Sequence, residues 1–329
     1  MKRLLLVSIL LLSTLGAQEE YELGEGYQVG ELPIYLGGYF SVDYRKQDEE
    51  DRYRVDDIAF MSYGGNNTLS YMVELEFKEF YVETHDNDGT RTERDHTLYI
   101  ERLYLDYTIN DTMKLRLGKF NSPIGYWNLM PINVLRETTS SPISTKIIYP
   151  RYTTGVDFSY RSFNENEIAL DLILQDNMPI DDEYNNYDVD KHYGLGLSYG
   201  DGSYELKVNG GYFSKRDHHP GVHDFMYGLL SAKYEQEMYQ ILAEAGMQES
   251  KEHDKNYAAY LQGLYRFTPK HIGVLRLESY KDELLDENDN IAIFGYTYRP
   301  LFPVALKLEY QQHTRSNLNQ FIFSFSVLF

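Results

Sequence analysis

Apolar side chains recur at every second position along most of this chain, and no comparably long segment shows helical spacing. Tyr71, Val73, Leu75 and Phe77 share one face of a segment whose other face holds Glu74, Glu76 and Lys78. Leu103, Leu105 and Tyr107 oppose Arg102, Tyr104 and Asp106, and Met113, Leu115 and Leu117 oppose Lys114 and Arg116. Near the C-terminus, Val304, Leu306, Leu308 and Tyr310 oppose Lys307, Glu309 and Gln311. An extended backbone sends successive side chains to opposite faces, so the pattern predicts strands with one apolar and one wet face. About sixteen such strands follow one another from Ile34, and the chain reads as all-β.

The links between these strands alternate in length. Short ones fall at Gly64–Asn67, Asn110–Asp111, Asp201–Gly202, Thr268–Lys270 and Pro300–Pro303, with the Gly, Asn, Asp and Pro that tight turns need. Between them lie longer polar links such as KQDEED, ETHDNDGTRTERD and DNMPIDDEYNNYDVDK. A meander with one compact and one elaborate side predicts a transmembrane antiparallel up-and-down β-barrel. Lipid supplies no hydrogen-bond partner, so each strand edge must be paired and the sheet must close. The barrel is expected to span residues 34–329, with residues 18–33 as a periplasmic N-terminal segment.

Residues 1–17, MKRLLLVSILLLSTLGA, have the layout of a signal peptide: Lys2 and Arg3, an apolar run, then small residues. The apolar run is too short for the roughly 20 residues of a membrane-spanning helix. Cysteine is absent, which excludes disulfides, thiolate metal sites and thiol nucleophiles. Tyrosine supplies 32 residues, and its ring with a polar tip suits a membrane–water boundary as well as an ordinary β-protein. The chain ends FIFSFSVLF, with Phe321, Phe323, Phe325, Val327 and Phe329 in one register. These are expected to face lipid, with Ser324 and Ser326 facing the wet interior and the last strand pairing with the first.

One link stands apart: Asn121 to Arg151, the third outer loop by count. It carries Trp127, Leu129, Met130, Ile132, Val134, Ile147 and Ile148, too apolar to lie freely in water. Long loops without regular structure are usually functional or disordered. Folding into the barrel would bury these groups and narrow the pore; a packed outer lid is the other way to bury them.

LRLGKFNSPIGYWN, a strand running into Gly118-Lys119-Phe120 and then Pro-x-Gly at the head of that loop, resembles trimeric Gram-negative porins of the general and phosphate-selective type. The resemblance is firm from Gly118 to Gly125 and at the C-terminus, and architectural elsewhere. It implies an inward third loop forming the constriction, a homotrimer in the outer membrane, and Phe325 and Phe329 as an assembly signal read by the barrel-assembly machinery. No lysine ladder accompanies it, so it does not extend to phosphate selectivity.

Net charge is -20, but selectivity follows the groups lining a pore. The expected constriction residues are Arg136, Glu137, Lys146 and Arg151. Expected lumen-lining residues are Arg102, Asp106, Lys114, Arg116, Asp157, Arg161, Arg276, Glu278, Lys307 and Glu309, a near balance of signs. The acidic outer loops can gather cations or bridge lipopolysaccharide through divalent ions, or can be plain solvated charge. These features predict a water-filled channel for passive diffusion of small hydrophilic solutes, weakly selective, with an anion preference if the basic loop residues line its narrowest part. A monomeric barrel with a plugged lumen, acting as a surface adhesin or structural protein, is the alternative.

Other chemistries find less support. Asp217, His218, His219, His223 and Asp224 could ligate a metal but read as an outer loop. No strand serine has a histidine placed beside it, so the chain is not read as an enzyme. No cofactor motif is present, and an acidic exported chain is a poor partner for nucleic acid.

Overall fold

The computed structural model describes residues 22–163, 166–216 and 224–329. Residues 1–17, expected to be a signal peptide, and the histidines at 218, 219 and 223 lie outside them. No helix among the described residues is long and apolar enough to cross a membrane, which says nothing of a β-barrel.

The first strands are β1 (Tyr27–Gln28), β2 (Ile34–Gln47), β3 (Glu50–Gly65), β4 (Leu69–Asp86), β5 (Gly89–Glu93), β6 (Tyr99–Asn110) and β7 (Met113–Asn121). After the long loop come β8 (Tyr152–Phe163), β9 (Glu167–Asp176), β10 (Val189–Gly200), β11 (Tyr204–Lys215), β12 (Asp224–Glu235) and β13 (Tyr239–Ser250). The series ends with β14 (Lys255–Thr268), β15 (His271–Asp282), β16 (Glu287–Tyr298), β17 (Val304–His313) and β18 (Gln320–Leu328). With the short β1 and β5 set aside, sixteen strands among the described residues form the wall, each antiparallel to its neighbours in the chain. The ring closes where β18 pairs with β2, Phe323 opposite Tyr44 and Leu328 opposite Tyr39.

Alternation becomes inside and outside. On β11, Leu206 and Val208 are each 53% exposed while Lys207 and Asn209, which alternate with them, are buried. The outward residues form a lipid belt, bordered by tyrosines such as the stacked pair Tyr193–Tyr212 at one end and Tyr199–Tyr204 at the other. Tyr204 and Tyr212 stand eight positions apart on one strand, about 26 Å along it and about 20 Å along the axis after the usual tilt. That height suits a bilayer interior.

The terminal strand does not fray. Phe329 N donates to Gly38 O, and Gly38 N donates to Phe329 O, both at 2.8 Å. A Cβ on Gly38 would lie 2.2 Å from Ala59 O and 2.9 Å from the Phe329 ring, so only glycine lets that ring settle there. Phe323 points outward, while Ile322, Ser324, Ser326 and Leu328 are buried inside. Residues 22–33 lie across the short-turn end: β1 pairs with β2, and Tyr63 OH donates to Glu25 O at 2.6 Å.

Two outer links are shorter than the sequence suggests. β2 and β3 run through most of KQDEED, leaving residues 48–49 as the turn, and β4 continues to Asp86 before β5 folds back on it. Cross-strand charge pairs make this polar stretch a workable ladder, with Lys46 Nζ 3.1 Å from Asp51 Oδ1 and Arg54 Nη1 2.6 Å from Glu79 Oε1.

Candidate functional site: a loop-lined opening inside the barrel

The third outer connection, residues 122–151, folds into the lumen. Its start is fixed by the motif that drew attention in the sequence. Gly118 has φ +131°, and a Cβ there would lie 2.1 Å from Leu103 O. Lys119 is fully buried, its Nζ donating to Ile100 O at 2.7 Å and Asp181 O at 2.6 Å. Gly125 has φ +65°, donates its N–H to Asn209 Oδ1 at 3.0 Å, and sits where a Cβ would be 2.5 Å from Glu244 Oε1. These residues carry structure, turning the chain inward.

Three apolar anchors then hold the loop against different parts of the wall. Ile124, Ile148 and Tyr149 pack with Ile173, Phe213 and Tyr227; Tyr126 and Trp127 with Leu242 and Tyr260; Ile132 and Val134 with Tyr39, Met61 and Leu328. The apolar residues noticed in the sequence are therefore the loop's inner packing surface. Leu129 is the exception, 48% exposed.

Polar clamps complete the docking. Glu309 accepts from Thr139 N at 3.0 Å and Ser140 N at 3.2 Å. Arg276 donates to Thr138 Oγ1 at 2.9 Å, Ser140 Oγ at 2.6 Å and Glu278 Oε1 at 2.7 Å, and Glu278 Oε2 accepts from Ile143 N at 2.9 Å. Lys307 donates to Asn133 Oδ1 at 2.8 Å. Arg299 donates to Val134 O at 2.7 Å and pairs with Glu137 at 3.0 Å. Each clamp joins a buried charge to loop backbone or to an opposite charge, which offsets much of its desolvation.

What is left of the lumen on the β2–β6 side is an opening of about 350 Å³. Arg136, Lys146 and Arg151 line it from the loop, and Asp57, Glu76 and Glu101 from the wall, with Arg45, Arg54 and Asp56 beside them. The wall cations are mostly compensated: Arg54 pairs with Asp43, Asp56 and Glu79, and Arg102 with Glu74. Arg136, Lys146 and Arg151 form no ion pair among the described residues; Arg136 donates to Ser141 Oγ at 3.0 Å, and Arg151 lies over the Tyr152 ring. Glu74, Glu76 and Glu101 offer oxygens within 4.8 Å of one another, a hard-oxygen set of the kind that suits calcium or magnesium. Part of that set already has partners: Tyr39 OH donates to Glu76 Oε2 at 2.7 Å and Glu101 Oε2 at 2.9 Å, Tyr152 OH donates to Glu101, and Arg102 pairs with Glu74, while Glu74 Oε1 and Glu76 Oε1 are buried without a hydrogen-bond partner among the described residues.

The residues expected from the sequence divide into three groups. Arg136, Lys146 and Arg151 line the opening; Glu137 is drawn away from it by Arg299. Arg102, Asp106, Lys114, Arg116, Asp157 and Arg161 stand on the inner wall, Arg116 and Lys114 both pairing with Asp106 and Arg161 with Asp171. Arg276, Glu278, Lys307 and Glu309 hold the loop in place, and the first two also reach the opening. Sequence reasoning missed Asp57 and Glu101, because β-bulges at Val55/Asp57 and Glu74/Leu75 shift the alternation. Glu101 is the extra residue of its bulge, so it and Arg102 both enter the interior. Lys207 and Glu244, deep under the loop, are likewise inward.

A hydrogen-bonded chain, Ser122–Thr153–His192–Tyr227, also lies inside the barrel. All four residues are buried, His192 completely, so the chain pins the start of the loop and offers no surface to a substrate.

Comparison with solved structures decides the architecture. The chain superposes on an anion-selective porin from Comamonas acidovorans with a TM-score of 0.63 at 12% identity, covering 90% of this chain and 99% of that one. The chain has the fold of the outer-membrane porins. It matches Salmonella typhi OmpF, solved with daunomycin, at TM-score 0.62 and 10% identity over 90% of this chain and 97% of that one. It matches the outer-membrane channel DcaP of Acinetobacter baumannii at TM-score 0.62 and 11% identity, covering 92% and 99%. No protein-family model matches the sequence, and no curated protein does. A likeness of this kind, strong in backbone and weak in sequence, is what a porin fold set by alternation and closure allows.

Proposed function

We propose that this chain is an outer-membrane porin, a water-filled channel through which small hydrophilic solutes and ions diffuse passively. The observation that carries this reading is the opening of about 350 Å³ that the inward loop leaves, lined by charged side chains. A plugged adhesin would have no use for a charged gap held open by so many clamps. A hydrolase would need a nucleophile and base that solvent can reach, and the buried His192 chain gives none. Because unpaired loop cations face wall carboxylates, ion selectivity is weak, with a slight anion preference from the protruding Lys146. In a planar bilayer under a potassium chloride gradient, the reversal potential should sit slightly on the chloride side. Electrically silent insertion would favour the adhesin, and strong cation selectivity would contradict the role given to the loop cations.

The same reading places the short turns and residues 18–33 in the periplasm, with residues 1–17 as the export signal. It assigns Phe325 and Phe329 to recognition by the assembly machinery, and lipid and lipopolysaccharide to the outer belt and loops. A homotrimer is supported by a solved neighbour, OmpT of Vibrio cholerae in trimer form, matched at TM-score 0.59.

A further inference from the structure

We propose that Glu74, Glu76 and Glu101 form a divalent-cation site in the barrel wall, one that takes calcium from the lumen. The sheet itself brings the three carboxylates together. Glu74 and Glu76 stand two positions apart on β4, both facing in, and the bulge at Glu74/Leu75 adds Glu101 of β6 to the same face. None of the three is more than 4% exposed. One oxygen from each lies within 4.8 Å of the others. A calcium ion at about 2.3–2.6 Å from each ligand bridges oxygens with this spread.

The protein's own donors leave the set incomplete. Among the described residues Arg102 is the one basic side chain paired with it, through Nε on Glu74. Tyr152 OH donates to Glu101, and Tyr39 OH lies 2.7 Å from Glu76 Oε2 and 2.9 Å from Glu101 Oε2. A hydroxyl carries a single proton, so Tyr39 fully serves only one of the two at a time. Glu74 Oε1 and Glu76 Oε1 have no partner among the described residues, although their side chains are 0% and 1% exposed. Three buried carboxylates beside one guanidinium leave two charges uncompensated, which a low-dielectric interior penalises heavily. A divalent cation supplies those two charges and takes the bare oxygens as ligands. Carboxylates carried on fixed strands impose an irregular geometry, which calcium accepts and magnesium, demanding an octahedron, does not. Glu76 and Glu101 also line the opening, so the ion arrives from the lumen. Once bound, it joins β4 to β6 and removes negative charge from the wall facing the loop cations.

The test adds terbium, which occupies calcium sites and emits when an excited tyrosine lies beside it, to the folded full chain stripped of divalent ions by a chelator. Tyr39 and Tyr152 are placed to sensitise it. The native barrel should give a saturable emission that calcium displaces. Glu76→Gln and Glu101→Gln should each weaken this binding about tenfold or more. Glu249→Gln, at the outer end of β13, should leave it unchanged, and heat-modifiable migration reports that each variant folds. On the channel reading, calcium should also move the reversal potential toward chloride in the native chain, and less so in the Glu76→Gln and Glu101→Gln variants. No calcium-displaceable emission from the native chain, or a loss no greater in Glu76→Gln and Glu101→Gln than in Glu249→Gln, overturns the site. Electrically silent insertion overturns the channel reading instead and leaves the terbium result to stand by itself.

Discussion

At the scale of single residues, the glycines and buried charges of the loop decide whether an opening exists. Gly125 combines a left-handed backbone with a Cβ position 2.5 Å from Glu244 Oε1. Gly125→Ala should cost about 1–2 kcal/mol of loop docking, read as faster proteolysis within the loop of the folded barrel. Unchanged cleavage would mean that the loop is held without this turn. Arg276 is fully buried and joins three loop groups to Glu278. Arg276→Met should cost about 3–5 kcal/mol, because Glu278 is left as a buried charge without its partner. Noisier single-channel current and a lower thermal midpoint would report it. Residue roles were the least legible part of the sequence. Lys307 and Glu309 alternate with apolar residues in the sequence, but only the folded loop reveals them as its anchors. Asp57 and Glu101 were given no face, since a bulge adds one residue and a period of two has no means of registering it.

At the scale of elements, most of the structure was legible. Strand order and alternating links follow from hydrophobic period and turn chemistry, which act locally; the inward third loop was implied by the resemblance to porins at Gly118 to Gly125, the loop's apolar residues alone leaving an outer lid open. Link lengths were less legible in the acidic stretch from Lys46 to Asp95, because charged residues that look like loop can pair across strands. The last strand belongs to this scale as well. Deleting Phe329 removes two backbone bonds to Gly38 and the ring seated against it, at the seam where the barrel closes. The deletion should lower the yield of folded, heat-modifiable barrel several-fold while the channels that do insert keep their conductance. Normal yield with altered conductance would place the role of Phe329 in the pore instead of at the seam.

At the scale of the whole molecule, an acidic chain with an apolar outer belt is reconciled by a barrel. Apolar residues face lipid, acids crowd the loops and lumen, and one loop divides the interior into a packed side and an open side. The central claim is that ions pass through the open side, between residues 136–151 and the β2–β4 wall. The chain contains no cysteine, so Lys146→Cys would place one thiol in the opening. Current through this variant should fall in discrete steps when a bulky, negatively charged thiol reagent is added, and the native chain should not respond. Complete labelling of Cys at position 146 with unchanged current would contradict the account, because ions would then be crossing elsewhere.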